Sequence, residues 1–215
     1  MAIDRRSFMR KSFYGAAGIS LGLSKLGICA QPQPPENKVK KSASAQNQVG
    51  YREAIIKKYP EQVIVTIAKD KNGKANPVTM GWTMITSGSP AMLACSMHLG
   101  HYTTTCVRHS KCFTIAFPSV EMKEAVLYFG THSGWSTDKF AEYGKCRHEP
   151  AKKINSVLLT DAVANFECRL EDEFITGDHV IFVGRVVASH INTAAKRRLY
   201  IIGPGKQLGA VEPVR

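Results

Sequence analysis

The densest group of chemically capable side chains in this 215-residue chain lies between His98 and Cys112. It comprises His98, His101, Cys106, His109 and Cys112, with Tyr102-Thr103-Thr104 among them. Imidazoles and thiols ligate metals, and Cys106, His109 and Cys112 recur at intervals of three. That spacing matches no closed zinc pattern. Residues three and six apart on a helix share a side, so packing explains the recurrence, and no metal site is expected. Tyr102-Thr103-Thr104 offers a different chemistry. A helix starting there presents free backbone N–H groups and the positive end of its dipole, which suits an anion. Two threonine hydroxyls can add hydrogen bonds. Thr103 by itself also reads as an ordinary N-cap. The six cysteines are Cys29, Cys95, Cys106, Cys112, Cys146 and Cys168, with no Cys-x-x-Cys. Five remain beyond residue 30, an odd number that argues against a fully paired disulfide framework and for thiols buried in a core.

The elements that must position these groups read as strands with a few short helices. Val63–Ala68 is a β-branched apolar run closed by Asp70-Lys71-Asn72-Gly73, a hairpin signal. The return strand is expected from about Val78 to Thr86, and a third strand at Met92–Ser96. A short helix follows Tyr102 and ends near His109. A fourth strand spans Phe113–Phe117. Helical pieces are expected at about Glu121–Phe129 and Thr137–Glu142, then a loop through Pro150. Two long strands, Ala164–Ile175 and His179–His190, flank the tight turn Thr176-Gly177-Asp178, and Leu199–Ile202 is a further strand. The count of six or seven strands joined by hairpins implies a mainly β fold. A closed or nearly closed small barrel is the natural way to hide its edges. There is no βαβ alternation and no Gly-x-Gly-x-x-Gly after a strand, so a dinucleotide-binding α/β domain is not expected.

At 44% hydrophobic and 21% charged residues, the composition is that of a globular chain able to bury a real core. The formal net charge is +12. Removing residues 1–30 takes away five positive charges and one negative and leaves +8. A basic surface favours anionic partners. No nucleic-acid motif is present, so a phosphorylated small molecule is the better candidate. Residues 31–50, with Pro32, Pro34, Pro35 and a polar run, have the composition of a flexible linker. The folded domain is expected over 51–215.

Asp4-Arg5-Arg6-Ser7-Phe8-Met9-Arg10 is similar to the twin-arginine export motif, and the Gly- and Ala-rich stretch Phe13–Ala30 resembles its weakly apolar middle region. That stretch is too short and too glycine-rich for a membrane span. An amphipathic N-terminal helix with a basic face is the plainer alternative. The resemblance implies that residues 1–30 are a signal segment and that the protein is exported, folded, to the periplasm. The leader ends either after Ala30 or at Leu26-Gly27-Ile28-Cys29, which resembles a lipoprotein box. In the second case Cys29 is lipidated and the protein is membrane-anchored.

Four stretches in order resemble the flavin reductase family of FMN-binding split barrels, most of all its flavoredoxin branch. They are Asn76-Pro77-Val78-Thr79-Met80-Gly81-Trp82, Ser96 through His101-Tyr102-Thr103, Ser133-Gly134 with Lys139-Phe140, and Gly177-Asp178-His179 opening a strand that contains Gly184. The resemblance covers about Tyr59 to Ile202. It implies a split β-barrel holding FMN, with Asn76, Val78, Thr79, Trp82, Ser96, His101, Tyr102, Thr103, Thr104, Lys139 and His179 around the cofactor. A flavin ring needs an apolar wall and a few placed donors and acceptors, and Asn76, Thr79 and Trp82 have the right chemistry. Lys139 either holds the phosphate or sits by the flavin N1–C2 edge; it and His179 are the residues expected to tune the flavin. Taken singly, Trp82 reads as core, Lys139 as a solvated helix residue, and His179 beside Asp178 as a turn residue. The tail departs from the family pattern: Lys206-Gln207-Leu208-Gly209 stands where an aromatic is usual, leaving the role to Leu208 or Tyr200. The family places FMN at a homodimer interface, so a homodimer is implied.

The expected activity is that of a flavin-dependent oxidoreductase. The electron donor is a redox partner protein or NAD(P)H, and an exported protein meets little NAD(P)H, which favours the partner protein. The alternatives are an NAD(P)H-dependent flavin reductase, a flavin carrier or sensor without turnover, and a pyridoxamine-phosphate-oxidase-like barrel with another cofactor.

Overall fold

The computed structural model describes residues 45–194 and 197–211. The twin-arginine segment, Cys29 and most of the linker lie outside the described residues. Gln48–Arg215, the second of two units of the chain, carries the fold. No helix among the described residues is long and apolar enough to cross a membrane.

The second unit opens with a short helix, α1 (Tyr51–Ile55), a 3-10 turn and the two-residue strand β1 (Glu61–Gln62). Strands β2 (Ile64–Lys69), β3 (Ala75–Met80), β4 (Thr83–Gly88) and β5 (Ala91–His98) follow, then helix α2 (Tyr102–Ser110) and β6 (Cys112–Phe117). Helices α3 (Lys123–Thr131) and α4 (Lys139–Tyr143) come next, with the short hairpin β7 (His148–Pro150) and β8 (Val157–Leu159). The long hairpin β9 (Ala164–Thr176) and β10 (His179–Ile191), then β11 (Leu199–Gly203) and β12 (Gln207–Ala210), are the last elements among the described residues.

Seven strands form one antiparallel sheet in the order β3-β2-β6-β9-β10-β5-β4. Its two edges, β3 and β4, are consecutive in the chain and separated only by Gly81-Trp82. Three Cα–Cα steps span at most roughly 11 Å. The far edges of the sheet must therefore meet at that corner, and the sheet curls into a barrel split between β3 and β4. The fold is a mainly β split barrel, as expected. The single return strand expected from Val78 to Thr86 is in fact these two strands. A chain that must close a barrel changes edges there, and periodicity alone does not reveal the corner. Two hairpins also escape the pattern. β7–β8 is only three residues a side, and β11–β12 turns through Gly203-Pro204-Gly205, which reads as a simple break.

β2 explains the continuous apolar run at 63–68. Alternate residues point to opposite faces of a strand. Val63, Val65 and Ile67 pack into a core with α3, Phe129, Leu159 and Leu199. Ile64 and Ala68 face the barrel interior with Met97, Phe113, Ile115, Cys168 and Phe182. The strand is buried on both faces, so it needs no polar side. Cys95, Cys106, Cys112 and Cys168 are free thiols buried in this interior or at its margin, and Cys146 is half-buried.

Candidate functional site

β3, α2, the end of α3 and the start of α4 converge on one cleft of about 210 Å³. Asn76, Val78, Thr79, His101, Tyr102, Thr103 and Lys139 all line it. Asn76 and Thr103 are almost fully buried, and Asn76 Nδ2 donates to Thr103 Oγ1 at 2.7 Å. This bond ties the sheet edge to the first turn of α2. Thr79 Oγ1 donates to the Val126 carbonyl at 2.6 Å and fixes β3 against α3. No side chain caps the start of α2, so its first N–H groups remain available to a ligand.

Lys139 is the first residue of α4 and is 3% exposed. Asp138 caps this helix by accepting from the Ala141 N–H at 3.2 Å. Lys139 Nζ donates to the carbonyls of Pro77 (2.8 Å) and Phe129 (2.9 Å). Among the described residues no carboxylate pairs with it. Burial pushes its pKa down to about 8. Two of three ammonium donors are used, which leaves one for a ligand. Burial also lowers the His101 pKa, and the charges of His98, Lys139 and His179 lower it further. The cleft is therefore a place where an extra positive charge is disfavoured and a negative one is welcome.

Two close approaches shape the cleft. A Cβ on Gly134 would lie 2.2 Å from Asn76 Oδ1, and one on Gly130 3.2 Å from Thr79 Cβ. Neither Gly130 nor the neighbouring Thr131-His132 is singled out by the sequence, although all three line the cleft. The signal available was a glycine inside an otherwise helical run. Val78 and Phe129 supply apolar wall.

The remaining residues singled out from sequence lie elsewhere. The Thr104 hydroxyl donates to the His98 carbonyl at 3.0 Å and is fully buried. Tyr102 lines the cleft with its ring side, while its hydroxyl donates to Asp70 Oδ2 at 2.8 Å. Trp82 is 47% exposed and packs its ring 4.8 Å from His179. Ser96 N–H donates to the Trp82 carbonyl at 2.9 Å. His179 Nδ1 lies 2.6 Å from Asp178 Oδ1. A line of rings, Trp82, His179, His98 and His101, connects this group to the cleft, with centroids 4.8, 5.4 and 5.6 Å apart. Among the described residues no three His, Cys, Asp or Glu side chains converge on a metal position.

The donors suit an anionic molecule with an apolar part: one buried ammonium, uncapped helix N–H groups, an amide and hydroxyls, beside the wall of Val78 and Phe129. Comparison with known proteins bears on which one. The family model described as "Flavin reductase like domain" matches residues 56–207. An uncharacterised protein of Archaeoglobus fulgidus is 32% identical over 114 residues, which cover 53% of this chain and 64% of that one. An NADH-dependent FMN reductase of Streptomyces nodosus subsp. asukaensis is 28% identical over 136 residues, covering 61% of this chain and 69% of that one. The crystal structure of flavoredoxin from Methanosarcina acetivorans superposes with a TM-score of 0.70 at 21% identity, covering 80% of this chain and 94% of that one.

Proposed function

The chain belongs to the flavin reductase like domain family, and from that premise we propose that it is an exported flavoprotein that holds FMN in the Asn76–Lys139 cleft and transfers electrons. The observation that carries this reading is Lys139: a buried ammonium, held by two carbonyls and lacking a carboxylate partner among the described residues, in a cleft lined by the open end of α2. A buried unpaired cation is costly unless an anion meets it. FMN, when bound, supplies the reversible electron chemistry.

The protein's own groups bind, orient and tune. The α2 N–H groups and Thr103 hold an anionic group, and Asn76 and Thr79 offer polar contacts along the sheet edge. Lys139 keeps positive charge beside the ligand and so favours its more negative state. Burial first, and nearby positive charge second, lower the His101 pKa and so favour its neutral form.

A cleft of about 210 Å³ is smaller than most small-molecule sites, so a ligand of this size extends past its rim. A homodimer would cover the rest. Trp82, Met84, Ser96, His98, His179, Ile181 and Phe174 occupy one face of β4-β5-β10-β9, as their register and two-residue spacing require. Met84 and Phe174 are more than half exposed there, and such an apolar face favours a second copy.

Export rests on Arg5-Arg6 and Phe8, with the periplasm as destination. That location favours a redox partner protein as electron donor. The name of the Streptomyces relative favours NADH instead. Purification followed by a visible absorption spectrum and chromatography of the released chromophore tests the cofactor. Stopped-flow reduction with NADH tests the donor. A flavin spectrum with FMN released supports the proposal, and reduction only by dithionite or a partner protein supports the partner reading. A colourless chain that does not bind added FMN overturns it.

A further inference from the structure

Strands β3, β2, β6 and β9 are neighbours in the sheet, and at one end of it they gather positive charge. β2 ends at Lys69, opposite Ala75 of β3, and β6 begins at Cys112, opposite Arg169 of β9. Lys69 Nζ donates to Asn155 Oδ1 at 3.0 Å, which brings the β7–β8 loop to the same end. Lys71 and Lys74 of the β2–β3 turn, Lys111 before β6 and Lys153 of that loop join Lys69 and Arg169 there. Among the described residues none of these six forms an ion pair. The carboxylates around them are already engaged: Glu149 faces Lys152, Glu171 faces Arg185 and Glu173 faces Arg108. Asp70 is buried and accepts from the N–H groups of Asn72 and Lys74 and from the Tyr102 hydroxyl. Asp172 stays exposed outside an ion pair, one carboxylate against six cations. Strands lie about 4.8 Å apart, so the charges extend roughly 15 Å across four strands, a width suited to a protein surface. A second cleft, of about 570 Å³, opens at this end between Lys71, Lys74, His109 and Trp135, and it shares Tyr102 and Gly134 with the first. Trp135 is 63% exposed, yet its indole is fixed: Nε1 donates to the Gly100 carbonyl at 3.1 Å, and its ring meets Tyr102 edge-on at 4.7 Å. A rigid exposed indole beside a charged rim is the kind of anchor that protein interfaces favour.

We propose that this end of the barrel is the docking surface for an acidic electron-transfer protein, which seats on Trp135 and sets its carboxylates against the lysines and Arg169. The proposal rests on the reading of the first cleft as a flavin site. Tyr102 lines both clefts and touches Trp135, so it lies between the docked partner and the flavin. Each electron lost by the reduced partner is gained by the flavin, and the accompanying protons come from solvent. A single indole offers no succession of stacking platforms, which disfavours a nucleic acid as the occupant.

The test uses the purified FMN-loaded full chain and its Lys71→Glu/Lys111→Glu/Arg169→Glu variant. A control, Arg52→Glu/Lys57→Glu/Lys123→Glu, makes the same change in net charge at exposed positions elsewhere. The probes are an acidic two-iron ferredoxin and an oligothymidylate, titrated by calorimetry at low and high salt. Ferredoxin should bind the parent at low salt and weaken about tenfold or more in the first variant, but stay within about threefold in the control. Reduction by reduced ferredoxin should slow in the first variant, while dithionite reduces all three proteins at equal rates. Absent ferredoxin binding, equal affinity in all three proteins, or an equal loss in both variants overturns the docking surface and leaves the flavin reading intact. Oligothymidylate binding that the first variant abolishes, with ferredoxin binding unchanged, assigns the surface to nucleic acid and also overturns it. Should FMN fail to bind, the flavin reading fails, and the same ferredoxin titrations on the flavin-free chain decide the docking surface alone.

Discussion

The ammonium of Lys139 sits among main-chain carbonyls with a pKa near 8, well below its ordinary 10.5. Burial disfavours the charged form, so the unliganded fold bears a penalty below about pH 8 that is relieved as pH rises toward 10.5. An anionic ligand reverses this by favouring the protonated amine. FMN affinity should therefore fall as pH rises through about 8, and Lys139→Met should bind at least tenfold more weakly with a flat pH profile. Fluorescence titrations from pH 6.5 to 9.5 check both. Gly134→Ala drives a Cβ to 2.2 Å from Asn76 Oδ1, so it should displace the Asn76–Thr103 bond and weaken FMN binding about tenfold or more. Its denaturation midpoint should move less than its affinity. Seven of the eleven residues singled out from sequence meet in this cleft. Lys139 was legible only through family resemblance, because a lysine at a helix start is ordinarily solvated and nothing local foretells its burial under α3. Trp82, Ser96 and His179 are local neighbours in the sheet register, and sequence has no means to say that they stand beside the cleft and not in it.

Among the elements, the loop between β7 and β8 depends on one buried carboxylate that periodicity does not predict. Glu167 on β9 is fully buried. It accepts from the N–H groups of Lys152 (2.9 Å), Lys153 (2.6 Å) and Ile154 (3.0 Å), and His190 Nε2 lies 2.7 Å away. Burial alone would raise its pKa, but these N–H groups and His190 outweigh it and the pKa is lowered. The sign follows: its contribution is full above its ordinary 4.5 and is lost as pH falls through the lower folded value. Glu167→Gln should cost about 2–4 kcal/mol at pH 7, read from the urea midpoint, and should flatten the acid limb of stability against pH. The long strands, α2 and the Asn72-Gly73 turn were readable because each carries its own period or turn residue. The corner at Gly81-Trp82 was not. It exists because the sheet must close, and closure is a property of all seven strands.

At the scale of the whole molecule, a barrel split between β3 and β4 leaves one sheet face with Met84 and Phe174 exposed. The proposed homodimer uses that face. Met84→Asp/Phe174→Asp should convert a dimer into a monomer in light scattering and lower FMN affinity, since the rim of the cleft loses its cover. A double variant that stays dimeric would move the interface elsewhere. Independently of the dimer, the Asn76–Lys139 cleft is proposed as the flavin site. It is tested most directly by titrating FMN into the flavin-free chain and into Lys139→Met, following the quenching of flavin fluorescence at pH 7. Saturation is expected near one FMN per chain, with affinity at least about tenfold weaker in the variant. Absence of saturable binding, or a variant indistinguishable from the parent, would contradict it.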